Sequence, residues 1–253
     1  MEKLKNKVAI ITGGAGGIGL TTAKLFLEEG AKIMLVDINE EELKKAVDSL
    51  SSGDISYCVA NVSNAKDHSN YVAKTLEKYG KIDIFFNNAG IEGDFKPITE
   101  YPEEMFDKVI SVNLKGVWLG CQHVIPKMED EGSVMITSSV AGLKGFKGLG
   151  AYVATKHAVI GIMRVAALEC ADRKIRVNTI HPGPVNNRMM RSIEHQISPD
   201  NPGEAQKGFE GSIPFGRYAE SSEIANMALF LASADSKYIT GTTQVVDGGM
   251  LLS

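Results

Sequence analysis

A tyrosine and a lysine four positions apart, in the stretch Tyr152-Val153-Ala154-Thr155-Lys156, put a phenol and an ammonium on one face of any helix that carries them. A free phenol titrates near pH ~10 and is a poor base at neutral pH. A fixed positive charge beside it stabilises the phenolate, and the phenol then becomes a group that can both give and take a proton. The chain has seven tyrosines, so this spacing also arises from composition alone, and the residues around the pair must decide what it does.

A second set of residues is suited to holding phosphate. Thr12-Gly13-Gly14-Ala15-Gly16-Gly17-Ile18-Gly19 follows an apolar run over 8–11 and opens a helical pattern with Ile18, Leu20, Ala23, Leu25 and Phe26 as its apolar positions. Glycines there let the backbone turn tightly and approach a pyrophosphate, whose charge then sits on the free N–H groups of the helix terminus. The next apolar run, 32–36, ends at Asp37, 18 residues beyond Gly19. A carboxylate at that point accepts hydrogen bonds from the adenosine ribose hydroxyls and repels a 2′-phosphate. No Arg or Lys stands in the glycine loop or at Ile38-Asn39 to pair with such a phosphate. The expected cofactor is therefore NAD rather than NADP. Asp37 could also cap the helix that begins near residue 40, a role compatible with ribose binding.

These residues need elements to position them, and the chain supplies an alternation of short β-branched runs with longer amphipathic stretches, the rhythm of βαβ units. Strands are expected at 8–11, 33–36, 55–59, 82–86, 134–137, 176–180 and 243–246, and helices near 18–29, 41–50, 66–79, 103–128, 152–172 and 222–232. Most of the strand runs are continuously apolar, as strands buried on both faces should be. The expected fold is α/β: a single doubly wound Rossmann domain over 1–253, with a seven-stranded parallel sheet and helices on both faces. The one long excursion is 182–215, rich in Pro and Gly, within which residues from about 184 to 215 are expected to form a substrate loop.

Composition narrows the partners. Hydrophobic residues make up 43% and charged residues 23%, and the net charge is −4. That balance gives no electrostatic reason to bind nucleic acid or an anionic membrane surface. The first apolar run is too short for a signal-peptide core or a membrane span, which points to the cytoplasm. Cys58, Cys121 and Cys170 lie far apart in apolar segments and read as buried free thiols. His157, His181 and His195 have no partner at metal-ligand spacing, so no metal is expected. His195, Arg188 and Arg191 read as solvated side chains of the substrate loop.

Taken together, Thr12-Gly13-x-x-x-Gly17-x-Gly19, Asn87-Asn88-Ala89-Gly90, Asn113, Ser139, Tyr152-x-x-x-Lys156, Pro182-Gly183 and Asp247-Gly248-Gly249 resemble, in order and from end to end, the short-chain dehydrogenase/reductase family. The resemblance implies a catalytic set of Asn113, Ser139, Tyr152 and Lys156. Oxidising a secondary alcohol requires loss of the hydroxyl proton together with hydride transfer, so a site needs a base, a donor that positions the oxygen, and a cofactor close by. Tyr152 is the expected acid/base. Lys156 supports its phenolate by charge and, as the family implies, binds the nicotinamide ribose. Ser139, just past the fifth strand, would orient the substrate oxygen; Ser138 is its rival, and the family's usual separation from the tyrosine favours Ser139. Asn113 interrupts an apolar helix, where a short amide competes for backbone bonds, and either marks a kink in a proton path, as in the family, or is a buried structural amide.

The implied cofactor contacts are Gly13, Gly16, Gly17, Ile18, Gly19, Asp37, Ile38, Asn61, Val62, Asn88, Ala89, Gly90, Tyr152, Lys156, Pro182, Gly183, Val185 and Asn187. Asn88 could be mainly structural. Two positions depart from the family pattern: Asn61-Val62 stands where Asp-Val is usual, and Asn187 where a threonine often touches the nicotinamide carboxamide. The Asn61 carbonyl could still accept from the adenine amine, and the Asn187 amide could replace the hydroxyl contact. Glu92, Phe95, Leu143, Phe146, Val185, Met189 and Met190 are expected to line a mostly apolar pocket for a cyclic alcohol or ketone. Ala89-Gly90-Ile91-Glu92-Gly93, Pro199 to Pro202 and Arg217-Tyr218 are similar to the levodione reductase and cyclic-alcohol or diol dehydrogenase branch. A 3-oxoacyl- or steroid-type carbonyl reductase, a non-catalytic NAD-binding module and a structural protein are the alternatives. The family also implies a homo-oligomer, a tetramer.

Overall fold

The computed structural model describes residues 2–252. Seven strands, β1 (Val8–Thr12), β2 (Lys32–Asp37), β3 (Ile55–Val59), β4 (Ile84–Asn87), β5 (Ser133–Thr137), β6 (Arg176–Pro182) and β7 (Thr243–Val246), form one parallel sheet in the order β3-β2-β1-β4-β5-β6-β7. The helices are α1 (Gly17–Glu28), α2 (Glu40–Leu50), α3 (Ala65–Tyr79), α4 (Glu103–Ile110), α5 (Gly116–Val124), α6 (Gly150–Glu169), α7 (Arg188–Ile197), α8 (Pro202–Gly211) and α9 (Ser221–Ala232).

Side chains alternate across the strands and so build two cores. Ile10, Met34, Phe85, Val134 and Val177 pack with Tyr71 of α3, Val117 of α5 and Val159 and Met163 of α6. Ala9, Ile11, Leu35, Phe86 and Met135 face the other way, against Phe26 of α1, Leu43 of α2 and Ile224 and Leu231 of α9. The doubly wound single domain expected from sequence is thus the fold. α6 is long and apolar enough to cross a membrane by length and composition, yet it packs Val159, Ile160 and Met163 into the first core.

Strand order reverses between β1 and β4, and the crevice that opens there, beyond the carboxyl ends of the strands, is where ligands bind in such sheets. The site residues come from that edge. Asp83 sets where β4 can begin. It is 3% exposed, accepts from Val8 N at 2.9 Å and pairs with Lys7 and Lys81, so the strand starts at Ile84 and not at 82.

Two expectations are corrected. The helix expected over 103–128 is not continuous: α4 passes through a π segment, Ser111–Lys115, into α5, and a 3-10 turn, Ile125–Lys127, follows where Pro126 removes a donor. The stretch 184–215 is not a loop, because it folds into α7 and α8. Asn187 caps α7 by accepting from Met189 N at 3.0 Å and Met190 N at 3.3 Å, and Pro202 starts α8 at a position that needs no donor. The pair of helices is docked by Glu194, which is 1% exposed, accepts from the Tyr218 hydroxyl at 2.9 Å and pairs with Arg191 at 2.8 Å. Arg191 also donates to Gln206 of α8 and to Asn186.

Candidate active site

Tyr152 and Lys156 occupy successive turns of α6, both buried. The Lys156 ammonium lies 5.4 Å from the centre of the Tyr152 ring and donates to the Thr137 carbonyl, at the end of β5, at 2.8 Å. That bond stretches the lysine across the sheet edge. Ser138, behind it, donates to the Lys156 carbonyl at 2.8 Å, which ties α6 to β5 and commits the Ser138 hydroxyl to structure. Ser139 is the member of the pair that faces the site: its hydroxyl accepts from Ala141 N at 3.1 Å and is hydrogen-bonded to the Tyr152 phenol. The tyrosine packs with Ala141, Leu149, Phe95, Phe146 and Val153, a mostly apolar wall around a polar tip.

Burial sets the protonation of the pair. It pushes the Tyr152 phenol up to about 12, against the opposing effect of the Ser139 hydroxyl and with a further rise from the Glu92 carboxylate. It lowers Lys156 to about 8. At neutral pH the phenol is therefore protonated and poised to donate, while the lysine still carries its charge.

Asn113 sits within the π segment and is fully buried. Its side chain grips the backbone of Ile91 from both sides, accepting from Ile91 N and donating to Ile91 O, each at 2.8 Å. A π turn re-aims one side chain off the regular helical face, and here it turns an amide onto the chain beyond β4. Of the two roles left open by sequence, the structure shows the clamp directly. A Cβ at Gly90 would lie 3.3 Å from Asn113 Oδ1 and 3.5 Å from Lys156 Nζ, so Asn113, Lys156 and the Asn88-Ala89-Gly90 segment meet at one point.

The glycine run makes the cradle that the sequence implies. Gly13 has φ +65, and a Cβ on Gly19 would collide with the Gly13 carbonyl oxygen and lie 2.9 Å from the Gly13 carbonyl carbon. No side chain caps α1 at Gly16, which leaves its first-turn N–H groups facing the crevice. Asp37 belongs to the same cradle: its carboxylate accepts from Ala15 N at 3.2 Å and from Ile38 N at 2.8 Å. It is not the cap of α2, because Asn39 takes that place by accepting from Glu42 N at 3.1 Å. A glycine turn of this shape, with an open helix terminus and an acid one strand away, fits a dinucleotide and would hold its pyrophosphate and adenosine ribose.

Other expected contacts divide. Ile38 is 66% exposed beside Asp37, and Ala89 and Gly90 border the crevice. Asn88 is a strut as well as a neighbour of the crevice, donating to Thr12 O at 3.1 Å and accepting from Thr137 at 2.9 Å. Both acceptor sites of the Asn61 side chain are taken by Ser63, through its N–H at 3.0 Å and its hydroxyl at 2.8 Å, so the expected acceptance from an adenine amine does not fit this arrangement. Val62 is buried beneath it, with its carbonyl bonded to His68. Pro182 ends β6, and Gly183 lies where a Cβ would be 2.9 Å from the Asp247 backbone. Asn187 approaches the cradle, its Cβ 3.3 Å from where a side chain on Gly17 would begin. Val185, expected in the pocket, is buried in the core shared with α1 and α9.

Two further residues hold the site through bonds that the sequence motifs do not specify. The Thr12 hydroxyl accepts from Asn88 N at 2.9 Å and Ala89 N at 3.1 Å, locking the ends of β1 and β4 together. His181 is fully buried, and burial lowers its pKa. Its Nδ1 faces the Ser139 carbonyl at 2.9 Å and must carry the proton, while Nε2 meets the Thr179 hydroxyl at 2.8 Å. His181 thereby fixes the backbone of Ser139. Thr12 opens the glycine motif without that motif specifying these bonds, and the signal for His181 in the sequence is its place at the carboxyl end of a strand. Among the described residues no cluster of three His, Cys, Asp or Glu side chains is placed to hold a metal ion.

Known proteins resemble this chain in sequence and in fold. The family profile described as enoyl-(acyl carrier protein) reductase matches residues 13–251. A levodione reductase from Leifsonia aquatica is 39% identical over 98% of this chain and 95% of its own length. The 3-oxoacyl-[acyl-carrier-protein] reductase FabG of Thermotoga maritima is also 39% identical, over 99% of this chain and all of its own. Among solved structures, an NAD+-bound xylitol dehydrogenase superposes with a TM-score of 0.92 at 34% identity, covering 98% of this chain and 100% of that one.

Proposed function

The chain belongs to the short-chain dehydrogenase/reductase family, and from that premise we propose that it interconverts a cyclic or largely apolar secondary alcohol and its ketone, with Tyr152 as the acid/base. It is an NAD-dependent alcohol/ketone oxidoreductase, a reading supported by its likeness to a levodione reductase and to an NAD+-bound xylitol dehydrogenase. The observation that carries the mechanism is the convergence of Tyr152, Lys156, Ser139 and Asn113 on the crevice beside the glycine cradle.

A bound nicotinamide supplies the hydride donor or acceptor. The protein's own groups do the rest. In ketone reduction the Ser139 hydroxyl donates to the substrate oxygen and Tyr152 Oη delivers the proton to that oxygen. In alcohol oxidation the phenolate takes the hydroxyl proton, and the Lys156 charge stabilises that phenolate. Asn113 keeps the chain at Ile91 fixed against the same pocket. The apolar wall of Phe95, Phe146 and Leu149 excludes water from the reacting carbon.

The protonation states give the pH dependence. Reduction needs a protonated phenol and a charged lysine, so it is highest below about pH 8 and falls as Lys156 loses its proton through about 8. Oxidation needs the phenolate, whose pKa is raised, and rises with pH up to about 8, beyond which loss of the Lys156 charge removes the phenolate's support. Initial rates in both directions across pH 6 to ~10 check this; a reduction rate that climbs above pH ~8 would contradict the assignment.

Cofactor choice rests on Asp37. Asp37→Ala removes the repulsion of a 2′-phosphate and the ribose contacts, and is expected to move the NADH-to-NADPH ratio of kcat/KM toward NADPH by about 10-fold or more. An unchanged ratio would separate Asp37 from the ribose. The reading as a whole is tested by NADH consumption over cyclic, aromatic and acyl ketones with NADPH in parallel; preference for acyl thioesters would favour the 3-oxoacyl alternative. We also place the enzyme in the cytoplasm as a homotetramer, supported by the free cysteines and by exposed Trp118, Val165 and Leu168 on the α5 and α6 surfaces. Light scattering showing a monomer would rule the tetramer out.

A further inference from the structure

Glu92 lies in the segment between β4 and α4, and that segment is pinned on every side. Asn113 grips Ile91, Gly93 takes φ +74 against the Tyr101 hydroxyl and Val109, and Asp94 N donates to that hydroxyl at 3.1 Å. Gln196 of α7 accepts from Phe95 N at 2.8 Å and donates to Gly93 O at 3.2 Å. Lys96 pairs with Leu149, and the Phe95 ring packs in the cluster of Tyr152. Glu92 therefore stands on rigid backbone between a clamp made by Asn113 and a ring packed with the catalytic tyrosine, and its charge reaches the Tyr152 phenol.

Glu92 is half-buried, and among the described residues its side chain has neither a hydrogen bond nor an ion pair. Holding a charged acceptor partly out of water without a donor is unfavourable, and a ligand that brings a donor relieves it. Phe95, Leu143, Phe146 and Met190 offer no competing polar group in the expected pocket. We infer that Glu92 selects the substrate by accepting a hydrogen bond from a second hydroxyl group, so that diols and hydroxy ketones are preferred over simple alcohols and ketones. This rests on the proposed alcohol/ketone chemistry at Tyr152 and Ser139. The donor is a neutral hydroxyl and not an ammonium, because the buried Lys156 already sets a cation against the same segment, 3.5 Å from where a Gly90 side chain would begin.

The test compares kcat/KM with NAD for cyclohexanol, the 1,2-, 1,3- and 1,4-cyclohexanediols and 2-aminocyclohexanol, in the wild-type enzyme and in Glu92→Gln and Glu92→Leu. The wild-type enzyme is expected to favour at least one diol over cyclohexanol by about 10-fold or more. Glu92→Leu should cut that diol-to-cyclohexanol ratio by about 10- to 100-fold, mainly through KM, with Glu92→Gln between the two because it keeps an acceptor oxygen. A ratio unchanged in both variants overturns the inference, as does a preference for the amino alcohol. Equal losses on all substrates with a displaced pH profile would make Glu92 a group that only tunes Tyr152, and would also overturn it. Absence of turnover with every alcohol in the wild-type enzyme would instead remove the underlying alcohol/ketone reading, and the inference with it.

Discussion

Tyr152→Phe is expected to lower kcat by about 10²- to 10⁴-fold in both directions while leaving NADH affinity within a few-fold of wild type. The substitution removes one oxygen and nothing else. The ring remains in its cluster with Ala141, Leu149 and Phe95, and Lys156 keeps its bond to the Thr137 carbonyl, so neither the fold nor the cradle loses a support. Ser139 and the apolar wall still orient a bound ketone, but no group remains to deliver its proton. Steady-state kinetics with a fluorescence titration of NADH separates the two effects. Turnover within tenfold of wild type would remove Tyr152 from the chemistry, and loss of NADH binding would make it a structural residue.

Gly19→Ala is expected to damage cofactor binding at its source. The new Cβ meets Gly13 backbone atoms, with the carbonyl carbon at 2.9 Å, and lies 3.1 Å from the Gly14 Cα. Backbone on a tight turn cannot move aside as a flexible side chain can, so either α1 tilts away from β1 or the turn opens. Overpacking of this kind costs about 1–3 kcal/mol of stability. The same displacement pulls the α1 terminus from the pyrophosphate, and NAD affinity should fall by about 10-fold or more, since a charge-assisted contact contributes about 1.5–3 kcal/mol. Thermal unfolding with and without NAD reads both: a lower Tm and a smaller rise on adding NAD. A variant that NAD stabilises as strongly as wild type would mean that Gly19 does not shape the cradle.

The central strands were legible because a parallel strand covered on both faces is a continuous apolar run, and β1, β2 and β5 follow such runs to within a residue. Residues with fixed offsets from those strands were legible too: the glycine turn after β1, Asp37 at the end of β2 and Ser139 past β5. The π segment at Ser111–Lys115 was not, since its apolar spacing reads as one helix and only the unfavourable Asn113 hinted at an interruption. α7 and α8 were missed for another reason. Asn187 and Asn201-Pro202 are start signals, but the mixed polarity of 182–215 masks the amphipathic faces behind them, and the docking of α7 depends on a buried carboxylate, Glu194, that reads as a surface residue. His181 and Thr12 act through bonds between sequence-distant strand ends, which no local pattern encodes.

Hydride transfer to a carbinol carbon can be followed directly. Incubating the enzyme with a cyclic ketone and NADH deuterated at both C4 positions, and analysing the alcohol by mass spectrometry, is predicted to give product with one deuterium on the carbinol carbon. Tyr152→Phe should form the same labelled alcohol only at its much reduced rate. No alcohol, or alcohol without the label, would contradict the assignment of this site to NAD-linked alcohol/ketone interconversion.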